Sequence, residues 1–249
     1  MSNQGTDQLR LEALLEAVSD ATRLLILAHN DPDPDAIAAA VGLKYLLDTL
    51  TPAVSDIAYG GIVGRAENRA LVRYLGVELQ QVHEVPFATY DRIALIDTQP
   101  GAGNNALPVG RQADIVVDHH QPLREESAAA RYVDVRREVG STSTIVTGYL
   151  AVSGLEIYPR LATGLFYGIQ TDTMGLGRRI GPADEVAYML LQPLIEVDEL
   201  VAIERAQVPR EYFKAFADTL DAARVYDHTV VAHLGDMYRP DMAAEMADV

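Results

Sequence analysis

Residues 29–36, with the sequence HNDPDPDA, place one imidazole and three carboxylates directly after the apolar run at residues 24–28. Burying such a cluster is unfavourable, because close carboxylates repel and each desolvated charge costs several kcal/mol. A bound cation removes both penalties, and an oxygen-rich set with one imidazole favours Mn²⁺ or Mg²⁺ over structural zinc. The alternative is a solvated turn in which Asp33 caps the next helix, Pro34 takes its first position and Asp35 lies in its first turn. This segment alone leaves both interpretations open.

Other acidic and imidazole side chains also follow apolar segments. Asp97 follows the apolar run at 92–96, an Asp-His-His triplet at 118–120 follows the run at 115–117, and Asp172 ends a helical segment. Ligands of parallel α/β sheets gather where the carboxyl ends of the strands meet. Each group alone is explained by a helix cap or a solvated loop, but four such groups at one edge predict a shared metal site.

The elements that position these groups follow from hydrophobic periodicity. Alternating strands and helices predict an α/β fold, a mainly parallel sheet with helices on both faces. Predicted strands cover residues 23–28, 54–59, 92–96, 115–117, 131–133 and 229–234. Predicted helices cover residues 6–20, 35–48, 64–75, 141–152, 159–171, 183–195, 197–206 and 209–226, with a last one opening at 240–249. The helix at 209–226 is expected to bury Tyr212, Phe213 and Phe216.

Composition excludes several classes of function. The 249 residues contain no cysteine, which excludes disulfides, thiolate metal sites and a thiol nucleophile. A formal net charge of −16 argues against binding long duplex nucleic acid but leaves small phosphorylated substrates open. No apolar run is long enough to span a bilayer and the start does not resemble a signal peptide. We therefore expect a cytoplasmic protein without a membrane partner; its oligomeric state is open, with a homodimer among the expectations.

Four segments of the sequence resemble those of the DHH phosphoesterases, which include RecJ-like exonucleases, nanoRNase/pAp phosphatases and manganese-dependent pyrophosphatases. In chain order these segments are HNDPDPDAIAAA, ALIDTQP, VVDHHQP and YGIQTDT, and the resemblance covers residues from about 20 to 195. Their order and separation fit the family, and GRAENRA and GSTST are weaker similarities of the same kind.

The resemblance implies a centre with two Mn²⁺ ions, for which Mg²⁺ or Co²⁺ are expected substitutes. One ion would be held by His29 and Asp33, and Asp97 would bridge the two. The other ion would be held by Asp35, His119 and Asp172.

The same resemblance assigns roles around the ions. Asp118 would accept a hydrogen bond that orients a histidine, and His120 would face the substrate phosphate. The catalytic residues are then Asp97 and His120. Either His120 or a metal-bound water would protonate the leaving oxygen. Two ions sharing a hydroxide would supply the nucleophile.

Groups that contact phosphate are less well determined. Ser141 and Thr142, at a predicted helix start, are candidates, with helix capping as the alternative. Arg65 and Arg178 are further candidates, as are Arg69 and Arg179, with surface ion pairs as the alternative.

These observations predict a manganese-dependent phosphoesterase that hydrolyses small nucleotide phosphates by a hydroxide activated by two metal ions. Expected substrates are short oligoribonucleotides, 3′-phosphoadenosine 5′-phosphate (pAp) or dinucleotides. The alternatives are an inorganic pyrophosphatase, a single-strand exonuclease and a non-catalytic nucleotide-binding sensor.

The resemblance divides the chain into a metal-binding catalytic domain at 1–195, connecting helices at 196–226 and the incomplete start of a C-terminal DHHA1-like domain at 227–249. The short last segment cannot bury its own apolar side chains, among them Val230 and Val231. We therefore expect a fragment, or a chain that is covered by a neighbouring chain, with an intact metal site and weak substrate binding.

Overall fold

The computed structural model of the protein describes residues 3–178, 181–208 and 210–235. Its α-helices in this part of the chain are α1 (Asn3–Ala17), α2 (Pro34–Leu50), α3 (Ala66–Leu75), α4 (Thr142–Ser153), α5 (Pro159–Asp172), α6 (Pro182–Leu191), α7 (Val197–Glu204) and α8 (Arg210–Ala222). The strands are β1 (Arg23–Ala28), β2 (Val54–Tyr59), β3 (Leu79–Gln81), β4 (Arg92–Ile96), β5 (Ile115–Asp118), β6 (Tyr132–Val135), β7 (Arg224–Tyr226) and β8 (Thr229–Val231).

Six strands form one parallel sheet in the order β3-β2-β1-β4-β5-β6. The chain runs outward from β1 to β3 and then returns to β4, on the other side of β1. Ala28 pairs with Ile96, so β1 and β4 end side by side at this change of direction. Open α/β sheets bind ligands at such a point, outside the carboxyl ends of the strands.

Both faces of the sheet are covered, which is why its strands are continuous apolar runs. Leu24 and Ile26 face a core shared with helices such as α1, α2, α4 and α5. Leu25 and Leu27 face a second core with Tyr90 on the other side of the sheet. Short 3₁₀ helices and loops cover this side. The predicted α/β class with a mainly parallel sheet is confirmed.

The alanine-rich start of α2 allows helices to pack closely above the sheet. Ala38, Ala39 and Ala40 are fully buried. A side chain at Gly42 would place its Cβ 2.7 Å from Val146 Cγ1, so α2 and α4 approach closely at a residue without a side chain. This packing brings the starts of α2 and α4 together at the edge where β1 and β4 end.

The C-terminal part differs from the prediction. The predicted helix over 209–226 ends at Ala222, because the chain turns at Asp227 (φ 54°) into the antiparallel hairpin of β7 and β8. The prediction that Phe213 is buried was wrong, because this residue is 62% exposed on α8. Strand β3 was not predicted, and the predicted helix at 240–249 lies outside the described residues. No helix of the described ranges combines the length and apolarity needed to cross a membrane.

Candidate metal centre

His29 follows β1 and faces two carboxylates. Its Nδ1 lies 2.8 Å from the carbonyl oxygen of Asn30, an arrangement in which Nδ1–H donates and Nε2 stays free to bind a cation. That Nε2 lies 3.4 Å from Asp97 Oδ2 and 3.7 Å from Asp33 Oδ1. Asp33 Oδ1 also accepts a hydrogen bond from the Ala36 amide at 3.0 Å, so the aspartate caps α2 as well.

His119 follows β5 and forms a second group. Its Nε2 lies 3.2 Å from Asp172 Oδ2, 3.5 Å from Asp97 Oδ1 and 3.9 Å from Asp35 Oδ2. Asp97 therefore lies between the two histidines, with one carboxylate oxygen toward each. It adopts a left-handed backbone conformation (φ 59°), which aspartate tolerates better than most residues.

The donor atoms of the two groups fit divalent cations. Asp97 Oδ2 and His119 Nε2 are buried and have no hydrogen-bond partner, which is costly unless something else satisfies them. Ligand atoms about 2.1 Å from one ion at right angles lie about 3 Å apart, close to the separations measured here. The structure thus brings together all six predicted ligands, in the groups His29–Asp33–Asp97 and Asp35–His119–Asp172.

The turn at the start of α4 orients two of these carboxylates. Asp35 is fully buried and accepts hydrogen bonds of 2.7 Å from the amides of Thr142 and Ser143. The Thr142 hydroxyl donates to Asp97 Oδ1 at 2.7 Å. Ser141 caps α4 by accepting from the Thr144 amide at 3.1 Å. The amide and the hydroxyl of Thr142 thus donate to the carboxylates of Asp35 and Asp97, a role that the sequence did not reveal. The hydroxyl of Ser141 caps the helix, which was the alternative given for it.

Gly168 lets α5 approach these elements. A Cβ at this position would lie 2.5 Å from Ser143 Oγ and 3.1 Å from the Asp35 Cα. Asp172 lies one helical turn further along α5 and therefore reaches His119. Sequence reasoning missed Gly168, although it stands within the segment YGIQTDT.

Asp118 orients the second histidine of the triplet. Its Oδ1 lies 2.9 Å from His120 Nδ1 and its Oδ2 accepts from Gln99 Nε2 at 2.8 Å. With Nδ1–H donating to Asp118, His120 presents Nε2 from a side chain that is 56% exposed. Gln99 is buried and also donates to the His120 carbonyl oxygen at 2.9 Å. This supporting role was not predicted, although Gln99 stands within the segment ALIDTQP.

A pocket of 360 Å³ extends from the metal ligands. Its lining includes three candidate ligands, His29, Asp33 and Asp172, together with Arg65 and Tyr167. Two hydrogen bonds hold the segment around the start of α3 against residues 29–36. Asp31 Oδ1 accepts from the Ile62 amide at 2.8 Å, and Asn68 Nδ2 donates to the Pro32 carbonyl oxygen at 3.1 Å.

The other predicted arginines are placed differently. Arg69 lies on α3 and donates to the carbonyl oxygen of Gly64, in the loop just before that helix. Arg178 is exposed in the turn after α5, where its amide donates to Thr173, and it does not line the pocket. Arg179 lies outside the described residues. Of the three candidate arginines among the described residues, Arg65 is thus the one that lines the pocket.

Charge in the site shifts the pKa values of its ligands. Burial lowers the pKa of His29, but Asp33 and Asp97 outweigh it and raise the value to about 11. For His119 burial is likewise outweighed, by Asp172, Asp97 and Asp35, and its pKa rises to about 10. Burial and neighbouring carboxylates raise the pKa of Asp35 well above its ordinary range. A cation would have to displace protons from such a site.

The parallel sheet and the paired aspartate–histidine groups at its switch point define an α/β protein with a candidate metal centre. The sequence profile of the DHH family, N-terminal domain, matches residues 23–169. The protein belongs to the DHH family.

Similarity extends to individual proteins. The chain is 38% identical over 227 residues to an uncharacterized protein of Methanocaldococcus jannaschii, covering 90% of this chain and 46% of that one. It is 27% identical over 182 residues to a "probable manganese-dependent inorganic pyrophosphatase" of Streptococcus pyogenes, covering 72% of this chain and 57% of the relative. The chain thus spans about half the length of these relatives.

The fold is shared with a solved structure. An exopolyphosphatase-related protein from Bacteroides fragilis superimposes with a TM-score of 0.67 at 18% identity, over 88% of this chain and 66% of that chain. At this level of identity the likeness shows the fold.

Proposed function

We propose that the protein is a hydrolase of phosphate esters or phosphoanhydrides that works with two Mn²⁺ ions. One observation carries this proposal: Asp97 lies between His29 and His119, with a buried, unpartnered oxygen toward His29. Membership of the DHH family and similarity to a protein named as manganese-dependent support the choice of reaction and of metal.

Charge balance supports two ions. When ionised, the four aspartates of the site together carry four negative charges, which two divalent cations would neutralise. These aspartates are Asp33, Asp35, Asp97 and Asp172. Divalent cations held there would polarise a phosphoryl group and make a water molecule more acidic.

His120 is suited to protonate the leaving group. Its hydrogen bond with Asp118 raises its pKa, and the charge of Asp97 adds to the effect. The imidazole therefore holds a proton at neutral pH more readily than a free histidine, with Nε2 available to a substrate oxygen. Asp118 keeps the ring in the orientation that this transfer needs.

We further propose that the substrates are small nucleotide phosphates, such as short oligoribonucleotides, pAp or dinucleotides. The pocket beside the ligands has the volume of a small-molecule site (roughly 300–1,000 Å³). Arg65 lines it and brings a guanidinium group, whereas Tyr167, which also lines it, is only 5% exposed and packs in the core. This volume is larger than inorganic phosphate needs, which supports a substrate that carries a nucleoside as well as a phosphate. The net charge of −16 disfavours long polyanions.

A second candidate is hydrolysis of inorganic pyrophosphate. It is favoured by the similarity to the Streptococcus pyogenes protein, whose name states that activity.

The test is a substrate panel of pAp, a linear dinucleotide, a short oligoribonucleotide and pyrophosphate, each with Mn²⁺, Mg²⁺, Co²⁺ or EDTA. We expect release of AMP or phosphate from the nucleotides with Mn²⁺ and none with EDTA. Asp97→Asn should abolish release. Asp114→Asn should not, because Asp114 accepts a hydrogen bond from the Ile93 amide at the amino ends of β4 and β5, away from the site. Faster hydrolysis of pyrophosphate supports the second candidate; nucleotide binding without hydrolysis of any substrate indicates a sensor.

A further inference from the structure

Asp184, near the start of α6, is a fully buried carboxylate outside the metal centre. It accepts hydrogen bonds from the Gly140 amide at 2.9 and 3.0 Å, from Thr144 Oγ1 at 2.6 Å and from the Gly181 amide at 2.7 Å. Among the ion pairs of the described residues, none includes Asp184. A buried charge satisfied only by aligned donors is sensitive to their positions.

Two of the three residues that donate to Asp184, Gly140 and Thr144, belong to the turn that orients Asp35 and Asp97. We call residues 140–144 the α4 turn. One side of this turn binds Asp184 through Gly140 and Thr144. The other side donates to Asp35 through two amides and to Asp97 through the Thr142 hydroxyl. The α4 turn therefore lies between Asp184 and two predicted metal ligands.

The contact between α6 and the α4 turn has little freedom to adjust. A Cβ at Gly181 would overlap the carbonyl oxygen of Glu138, just before the turn. Within the turn, Ser141 Oγ accepts from the Thr144 amide and lies 3.0 Å from Thr144 Oγ1. A shift of Asp184 would therefore move the turn as a unit, together with the donors that face Asp35 and Asp97.

We propose that Asp184 is a positioning residue of the metal centre, which holds the α4 turn so that Asp35 and Asp97 keep the orientation needed to bind metal. Asp184 touches neither metal ligand and acts through the turn. This inference rests on the proposed metal function.

The test removes single hydrogen bonds to Asp184 and measures binding of Mn²⁺ alone. Thr144→Val deletes the hydroxyl that donates to Asp184 with little change of volume, and Thr144→Ser keeps it. Changing a group that orients a metal ligand typically costs roughly 10–100-fold in affinity, and this contact is one step further from the metal. We therefore expect Thr144→Val to weaken Mn²⁺ binding by roughly tenfold in calorimetry, with a changed electron paramagnetic resonance spectrum of the bound Mn²⁺, and Thr144→Ser to restore both.

The matched control is Thr147→Val, because Thr147 lies on the same helix, is equally buried and donates to the Ser143 carbonyl oxygen instead of Asp184. Asp184→Asn is measured alongside, with circular dichroism as the check on folding. Equal Mn²⁺ affinity and spectra in wild type and Thr144→Val, or equal loss in Thr147→Val, would overturn the positioning role. Failure of the wild type to bind Mn²⁺ would instead overturn the proposed function.

Discussion

The hydroxyl of Thr142 donates a 2.7 Å hydrogen bond to Asp97 Oδ1, the carboxylate oxygen that also faces His119. This contact links the start of α4 to the aspartate shared by both ligand groups. It fixes one oxygen of Asp97 and thereby directs the other, which has no hydrogen-bond partner, toward His29.

Thr142→Val should therefore weaken metal binding while the fold is kept. The loss of a group that orients a ligand predicts a decrease in Mn²⁺ affinity of roughly 10–100-fold, measured by calorimetry on metal-free protein. Thr142→Ser keeps the hydroxyl and should bind Mn²⁺ nearly as the wild type does. Equal affinities in the valine and serine variants would show that the contact does not orient Asp97.

Metal binding should release protons at neutral pH. The unfolded-state pKa of histidine is about 6.5, whereas the metal-free folded protein holds His29 at about 11 and His119 at about 10. Below these values both imidazoles keep a proton that a cation must displace. At pH 7.5 we expect at least about two protons, one from each imidazole, to be released on saturation with Mn²⁺. The number is obtained from calorimetry in buffers of different ionisation enthalpy.

The same shifts give the metal-free protein a defined pH dependence. Because the folded-state pKa values are raised, the stabilisation from the two protonated histidines is complete below about pH 6.5 and is lost as the pH rises toward 10 and 11. Mn²⁺ affinity should accordingly increase throughout this range, rather than level off just above 6.5 as for free imidazoles. A proton release near zero at pH 7.5 would contradict the assignment of both histidines.

Gly168→Ala should disturb the site through packing alone. The added methyl would lie 2.5 Å from Ser143 Oγ and 3.1 Å from the Asp35 Cα, so α5 must move away from α2 and α4. Overpacking of this kind costs about 1–3 kcal/mol of unfolding free energy, and we expect weaker Mn²⁺ binding as well. Gly5→Ala is the control, because its Cβ meets nothing within 4 Å on α1 and alanine favours helix. Denaturant unfolding and calorimetry measure the two effects, and an unchanged Gly168→Ala protein would contradict them.

The sequence predicts the strands and the positions of the candidate ligands better than it predicts the residues that support them. His29, Asp97 and His119 each directly follow an apolar strand. A parallel sheet therefore brings them to the same end of its strands, independently of how the helices pack. The roles of Gln99 and Asp184 depend on how a loop folds back and how α6 meets α4. These contacts are distant in sequence and leave no periodic pattern.

The C-terminal elements show the same limit. Helical periodicity continues past Ala222, but the turn at Asp227 pairs β7 with β8 instead. Short strands without a long apolar run are set by such turns, and hydrophobic pattern alone does not reveal them.

His120→Gln should separate catalysis from metal binding. His120 also lies close enough to Asp97 and His119 to share a cation with them, but its Nδ1 is 2.9 Å from Asp118 Oδ1, and the proposed function assigns it proton donation instead. We expect Mn²⁺ affinity close to that of the wild type, but a kcat lower by roughly 10²–10⁴-fold, the usual loss when a general acid is removed.

The pH profile tests the cause of this loss. Asp118 raises the pKa of His120, so Asp118→Asn should move the loss of the protonated form, and with it the decline of kcat on the alkaline side, to lower pH. Substrates with a good leaving group, such as p-nitrophenyl esters, need less proton donation and should lose less activity in His120→Gln than nucleotide substrates do. An equal loss for both leaving groups, or loss of Mn²⁺ binding in His120→Gln, would show that His120 is a metal ligand or a binding group rather than the proton donor.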